Sequence, residues 1–229
     1  MNIFECENIY KSFGEGEAKV NAINGINFTV ADGECVVVMG ESGTGKTTFL
    51  NLLSALLAVD QGKIIYKNRD ISKLNDDERT VLRKNSFGFV FQFFELVPNL
   101  TVEENIVLPL YIQGRKKEKE YYYELLSRLK IGNLCDRFPN TLSGGQQQRV
   151  AIARAFITKP DCIFADEPTG NLDFNNKQII CELFWELQRM YKHTLIIATH
   201  DEEMKEIADR RIILQDGKII KDEKLENGE

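Results

Sequence analysis

The 229-residue chain is short of everything that would tie it to an oxidising compartment or a membrane. Its five cysteines, Cys6, Cys35, Cys135, Cys162 and Cys181, are scattered with no C-x-x-C spacing. That argues against a disulfide framework and a cysteine zinc site, and leaves reduced, buried thiols as the expectation. Long apolar runs are missing too. The longest, such as Val36-Val37-Val38-Met39 and Ile212-Ile213-Leu214, fall far short of the roughly 20 residues that span a bilayer. The start, Met1-Asn2-Ile3-Phe4-Glu5-Cys6-Glu7, lacks the basic and apolar segments of a secretory signal and alternates like a strand, so the expected location is the cytoplasm. There is no excess of positive charge: a net charge of −6 argues against broad nucleic-acid binding. With no internal repeat or low-complexity linker, and an ordinary 43% of hydrophobic residues, one packed folding unit covering residues 1–229 is expected.

What is present divides by pattern. Short alternating stretches at Phe4 to Tyr10, Ile26 to Val30 and Lys63 to Tyr66, with turn signals at Asp32-Gly33 and Lys67-Asn68, predict a small antiparallel sheet. A buried strand over Cys35 to Met39 should lead through a glycine-rich loop into a helix over Thr47 to Leu57. Helical periodicity then takes over, near Val102 to Tyr111, Lys117 to Leu129 and Gly145 to Ile157. Strands return at Cys162 to Ala165, Thr194 to Ala198 and Arg211 to Gln215, alternating with helices near Asn175 to Tyr191 and Asp201 to Ala208. That alternation predicts a parallel α/β core, and the stripe around Trp185 on the Asn175 to Tyr191 helix reads as core packing.

The strongest local signal is Gly40-Glu41-Ser42-Gly43-Thr44-Gly45-Lys46-Thr47, a G-x-x-x-x-G-K-[ST] sequence between a strand and a helix. Its glycines let backbone N–H groups wrap phosphate oxygens, and the following helix turns its positive end toward them. Lys46 should neutralise the β and γ phosphates, Thr47 should offer a hydroxyl to Mg²⁺, and Thr48 should donate from the first helical turn. The Glu41 carboxylate should face away from a triphosphate. In Cys162-Ile163-Phe164-Ala165-Asp166-Glu167 a hydrophobic strand delivers two carboxylates at its C-terminal end. Asp166 is expected in the Mg²⁺ shell and Glu167 beside the attacking water.

Leu142-Ser143-Gly144-Gly145-Gln146-Gln147-Gln148-Arg149, with the two motifs above and in the same order over nearly the whole length, resembles the signature of the ATP-binding cassette (ABC) family. The resemblance implies a P-loop NTPase fold with an N-terminal antiparallel β subdomain and an inserted α-helical subdomain. The core would cover residues 1–92 and 159–229 and the helical part 93–158. It further implies that Gln92 senses Mg²⁺ and the attacking water, that Asp173 in Asn171-Leu172-Asp173 lies across a dimer interface, and that His200 contacts the γ-phosphate. Phe13 matches the position whose ring stacks on adenine; tyrosine is more usual there, and phenylalanine keeps the ring without the hydroxyl.

Ser143 and the N–H groups of Gly144, Gly145 and Gln146, at a helix start, form a second anion site, so one chain carries two half-sites. In the family the signature of one subunit covers ATP held by the other, which implies a two-fold homodimer on ATP binding. Asp166-Glu167-Pro168-Thr169-Gly170-Asn171-Leu172-Asp173 with Phe89-Val90-Phe91-Gln92 resembles the MacB, LolD and FtsE group, which serves macrolide and peptide export, lipoprotein release and cell-division signalling. The expected role is an ATP-hydrolysing subunit of an export or mechanotransmitting complex, peripheral on the cytoplasmic face of the membrane. The chain stops soon after the Gln215-Asp216-Gly217-Lys218 turn, so its permease is expected to be a separate polypeptide docking near Gln92 to Leu110. The alternative is a regulatory cassette that controls a cell-wall hydrolase or senses an antibiotic peptide through a membrane partner.

Overall fold

The computed structural model describes residues 1–225. In chain order the elements are β1 (Asn2–Phe13), β2 (Val20–Ala31), β3 (Cys35–Met39), α1 (Lys46–Leu53), β4 (Gln61–Tyr66), β5 (Arg69–Asp70), α2 (Asp76–Ser86) and β6 (Phe87–Phe91). They continue with α3 (Val102–Gln113), α4 (Lys119–Arg128), α5 (Gly144–Phe156), β7 (Cys162–Asp166), α6 (Phe174–Tyr191), β8 (Thr194–Thr199), β9 (Arg210–Gln215) and β10 (Lys218–Lys224).

Two sheets organise these elements. One is antiparallel, in the order β2-β1-β4-β5. The other runs β10-β9-β3-β8-β7-β6, parallel throughout except for the hairpin of β10 on β9. The parallel strands are apolar on both faces because both are covered. Cys35, Val37 and Met39 of β3 point into a core shared with α3, α4, α5 and α6, whereas Val36 and Val38 point into a core shared with α1 and the antiparallel sheet. β7 and β8 split in the same way: Ile163 and Ala165 with Leu195 and Ile197 on one side, Cys162 and Phe164 with Ile196 and Ala198 on the other. Strand alternation therefore builds two hydrophobic layers from one sheet.

Register does the rest of the positioning. Met39 lies opposite Thr199, Asp166 opposite Ala198 and Phe91 opposite Asp166. The C-terminal ends of β3, β8, β7 and β6 thus meet along one edge, where ligands bind in open parallel sheets.

Three expectations need correction. The helix after the glycine loop ends at Leu53 and not Leu57, because Ala55 takes a left-handed backbone angle of φ 56°. Glu202–Ile207 forms 3₁₀ turns in place of the α-helix expected from Asp201 to Ala208. On α6 the buried face is Ile180, Cys181, Leu183, Phe184 and Leu187, while Trp185 is 43% exposed with the Arg189 guanidinium 4.9 Å from its ring, and Ile179 and Met190 are exposed too. In addition, α2 and β10 were not anticipated, although Asn75 and Glu78 form a reciprocal capping box at the start of α2. Among the described residues no helix is long and apolar enough to cross a membrane.

Candidate active site

The glycine loop joins β3 to α1 and floors a cleft of about 830 Å³, lined by Phe13, Val20, Asn21, Ala22, residues 41–48, Gln92, Glu167, His200, Asp216 and Gly217. Gly45 sits at φ 103° directly before α1, and a Cβ there would lie 2.4 Å from the Ala22 carbonyl, so only glycine fits. It caps the helix without a side-chain hydrogen bond, which leaves the first N–H groups of α1 free to meet an anion. Lys46, 7% exposed, donates to the carbonyls of Gly40 (2.8 Å) and Glu41 (3.0 Å). Its Nζ is also 3.6 Å from Glu167 Oε1. The lysine is therefore held over the loop it serves. Thr48 lines the cleft, and Glu41, Ser42, Gly43 and Thr44 form its rim, with the Thr44 hydroxyl donating to the Glu41 carbonyl at 2.9 Å.

Thr47 and Asp166 come together across 119 residues of sequence, the hydroxyl donating to Oδ1 at 3.1 Å. Burial pushes the Asp166 carboxyl above the ordinary 3.8 and the neighbouring Glu167 charge adds to it, while Thr47 and Lys46 oppose the shift without cancelling it. A half-buried acid and a hydroxyl at this spacing form a hard-oxygen pair suited to Mg²⁺, which typically takes one or two carboxylates and completes its shell with phosphate and water. Among the described residues no group of three or more His, Cys, Asp and Glu side chains is placed to hold a metal ion.

Glu167 follows β7 with a left-handed φ of 46°, an uncommon angle for a side-chain-bearing residue, and its N–H is anchored on the Ala198 carbonyl at 2.8 Å. Its Oε2 accepts from the Thr199 hydroxyl (3.2 Å) and faces His200 Nδ1 at 2.9 Å. His200 is 63% exposed at the mouth of the cleft.

Gln92 ends the β6 segment and lines the same cleft; its Nε2 donates to Asn171 Oδ1 at 3.4 Å, and Asn171 Nδ2 returns a bond to the Gln92 carbonyl at 2.9 Å. Asn171 leads to Asp173, which caps α6 by accepting from the Asn176 N–H and side chain at 2.9 and 2.8 Å. The Asp173 carboxyl is correspondingly held below the ordinary range by those bonds.

The signature residues stand apart from this cleft. Ser143 caps α5, and its own N–H donates to Gln146 Oε1 at 2.9 Å. At Gly145 a Cβ would come 2.2 Å from Asn176 Oδ1, so the absence of a side chain lets α5 approach the start of α6. Neither Asp173 nor any of Ser143, Gly144, Gly145 and Gln146 lines the phosphate-loop cleft. One chain brings together Phe13, Gly40 to Thr48, Gln92, Asp166, Glu167 and His200, and leaves the capped start of α5 at Ser143 outside that cleft.

The family profile described as "ABC transporter" matches residues 23–170. The chain belongs to the ABC transporter family. This ABC protein is 40% identical over 222 residues to the lipoprotein-releasing system ATP-binding protein LolD of Cytophaga hutchinsonii, covering 96% of this chain and all of that one. It is 40% identical to the macrolide export ATP-binding/permease protein MacB of Chlorobaculum tepidum, covering 98% of this chain and 35% of that longer one. Among solved structures, the ATP-binding cassette MJ0796, a dimer in a post-hydrolysis state with ADP and phosphate, superposes with a TM-score of 0.88 at 37% identity, covering 97% of this chain and 98% of that one. The chain is accordingly an ATP-binding ABC ATPase with the cassette fold expected from its sequence.

The cleft of this ABC ATPase also contains residues the sequence did not flag. Val20, Asn21 and Ala22 enter from β2 and Asp216 and Gly217 from the β9–β10 turn, while the buried Thr199, at the end of β8, reaches the cleft only through its bond to Glu167. The Asp216-Gly217 pair was visible as a turn, but the bond from the Gly217 N–H to the Thr44 carbonyl (3.2 Å) is a tertiary event with no local signature.

Proposed function

We propose that this chain is the engine of a membrane complex of the lipoprotein-release or macrolide-export type, closing head to tail as a homodimer around two ATP molecules. The observation that carries this reading is the separation, on one chain, of a complete phosphate cleft from a capped helix start at Ser143. Neither half is a whole active site, and a two-fold partner supplies the missing half to each.

In this reading the N–H groups of residues 41–48 and Lys46 bind the phosphates, Phe13 stacks on the adenine, and Thr47, Asp166 and Gln92 would hold Mg²⁺. When bound, the cation would neutralise charge on the phosphates. Glu167 accepts a hydrogen bond from the attacking water and polarises it, while His200 orients the Glu167 carboxylate and reads the γ-phosphate. The partner's signature segment, equivalent to Ser143 through Gln146, closes over that phosphate, and Asp173 helps shape the interface. Loss of the γ-phosphate removes the contacts that favour closure, so nucleotide state biases two arrangements of the dimer.

Residues 93–158 form the helical lobe and face the permease. An apolar groove lined by Phe89, Phe91, Pro109, Ile112 and the stem of Arg154, with Phe93 70% exposed nearby, suits an amphipathic helix of a separate membrane subunit. The chain would thereby sit on the cytoplasmic face of the membrane through its partner.

The test is Glu167→Gln, which keeps the volume and removes the charge. It should abolish most turnover, retain ATP binding, and accumulate an ATP-bound dimer in size exclusion. Near-normal turnover would remove Glu167 from the catalytic role.

A further inference from the structure

Phe13 closes β1, and the residues just before it are held from outside the cleft. β4 pairs with β1 only as far as Tyr10, opposite Gln61, so Lys11 and Ser12 run on past the end of that pairing. Asp60, the residue before β4, takes over where the strand stops. Its N–H donates to the Tyr10 carbonyl at 2.9 Å. Its Oδ2 accepts from the Ser12 N–H at 2.7 Å and the Ser12 hydroxyl at 3.0 Å, and its Oδ1 accepts from Lys11 Nζ at 2.7 Å. The Lys11 ammonium in turn lies 5.7 Å from the centre of the Phe13 ring, within cation–π range.

None of Asp60, Lys11 and Ser12 lines the cleft, whereas Phe13 does, with 44% of its surface exposed. Partial burial raises the Asp60 carboxyl, but the bonds from Lys11 and Ser12 outweigh it and leave the group below its ordinary value. It is therefore ionised at neutral pH and its hydrogen bonds are charge-assisted.

We propose that Asp60 is a positioning residue for nucleotide binding, fixing the end of β1 and the Lys11 ammonium so that the Phe13 ring is ordered before the base arrives. The inference rests on the reading that Phe13 stacks on adenine. Its physical content is preorganisation: β2 pairs with this end of β1 as far as Phe13 opposite Val20, Asp60 holds the other edge, and a ring on a strand end held at both edges has less freedom to lose on binding. The clamp acts on the base and not on the triphosphate, because its bonds end at Phe13 and never reach residues 40–48.

Two probes separate those contributions: ATP, and inorganic tripolyphosphate, which has no base. Asp60→Ala should weaken ATP binding by roughly 3- to 10-fold and leave tripolyphosphate affinity unchanged. Asp60→Asn, which keeps an acceptor for Ser12 but not the charge that holds Lys11, should fall between. Phe13→Ala should show the same selectivity, and adding Asp60→Ala to it should cost nothing more. Equal losses for the two probes, additive losses in the double variant, or unchanged ATP affinity in Asp60→Ala beside a weakened Phe13→Ala would each overturn the role of Asp60. Unchanged ATP affinity in Phe13→Ala would instead overturn the stacking reading, and this inference with it.

Discussion

His200 Nδ1 lies 2.9 Å from Glu167 Oε2, while the other oxygen of the same carboxylate lies 3.6 Å from Lys46 Nζ. Glu167 is thus held between Lys46 of the glycine loop and His200 at the cleft mouth, and its left-handed backbone angle keeps it there. His200→Ala removes one of these restraints without touching the phosphate loop. Turnover should fall by about 10- to 100-fold with ATP affinity changed by less than about 3-fold, measured by steady-state kinetics beside equilibrium binding. A loss confined to KM would contradict the orienting role.

Asp166 sets function against stability. Its carboxyl is raised above the ordinary 3.8 in the folded chain, chiefly by burial, so ionising it opposes folding. The sign follows directly: the penalty is absent below about pH 3.8, grows as pH rises from there through the folded-state value, and is fully present at neutral pH. Asp166→Asn should therefore raise the melting temperature of the nucleotide-free chain at pH 7, with the gain shrinking as pH falls toward 4, while lowering ATPase activity by at least about 10-fold. A variant that is less stable at pH 7 would show that the Thr47 bond outweighs the burial.

Much of the site could be read from contiguous residues, and the misses share one cause. Gly40 to Thr47 is legible because all its chemistry is local: glycines at turn positions, a lysine, and a helix start. Asp166 and Glu167 are legible because they end a hydrophobic strand. Asp60, Val20, Asn21, Ala22 and Thr199 are not, because sheet register and turn packing bring them in, and a single sequence does not display pairing such as Met39 with Thr199. The helix after the phosphate loop was overextended because Leu56 and Leu57 continue the apolar pattern, whereas the chain turns at Ala55. The sequence pattern points Trp185 inward because apolar residues occupy most of the α6 circumference, and only tertiary packing selects the face that is buried.

Arg154 ties the signature helix to the segment after Gln92. From α5 its guanidinium donates to the carbonyls of Phe94, at 2.8 Å, and Glu95, and both residues have left-handed angles, φ 64° and 49°. Removing the fork frees a strained segment at the edge of the apolar groove. Arg154→Met should destabilise the chain by about 1.5–3 kcal/mol in denaturant titrations, the range for hydrogen bonds to a charged group. It should also blunt any stimulation of ATPase activity by a permease. A stability change below about 0.5 kcal/mol would mean that the segment holds itself.

That hydrolysis belongs to the dimer is tested most directly by mixing two chains, each defective in one half-site. Lys46→Ala disables the phosphate cleft, and Ser143→Arg blocks the signature start by bulk. Each variant alone should be inactive, since every composite site in its homodimer lacks one half. An equal mixture should recover up to about a quarter of the normal rate, because about half the dimers are mixed and each of those has one intact site. A mixture as inactive as its folded components, or a Ser143→Arg chain that hydrolyses ATP at the normal rate, would contradict the account.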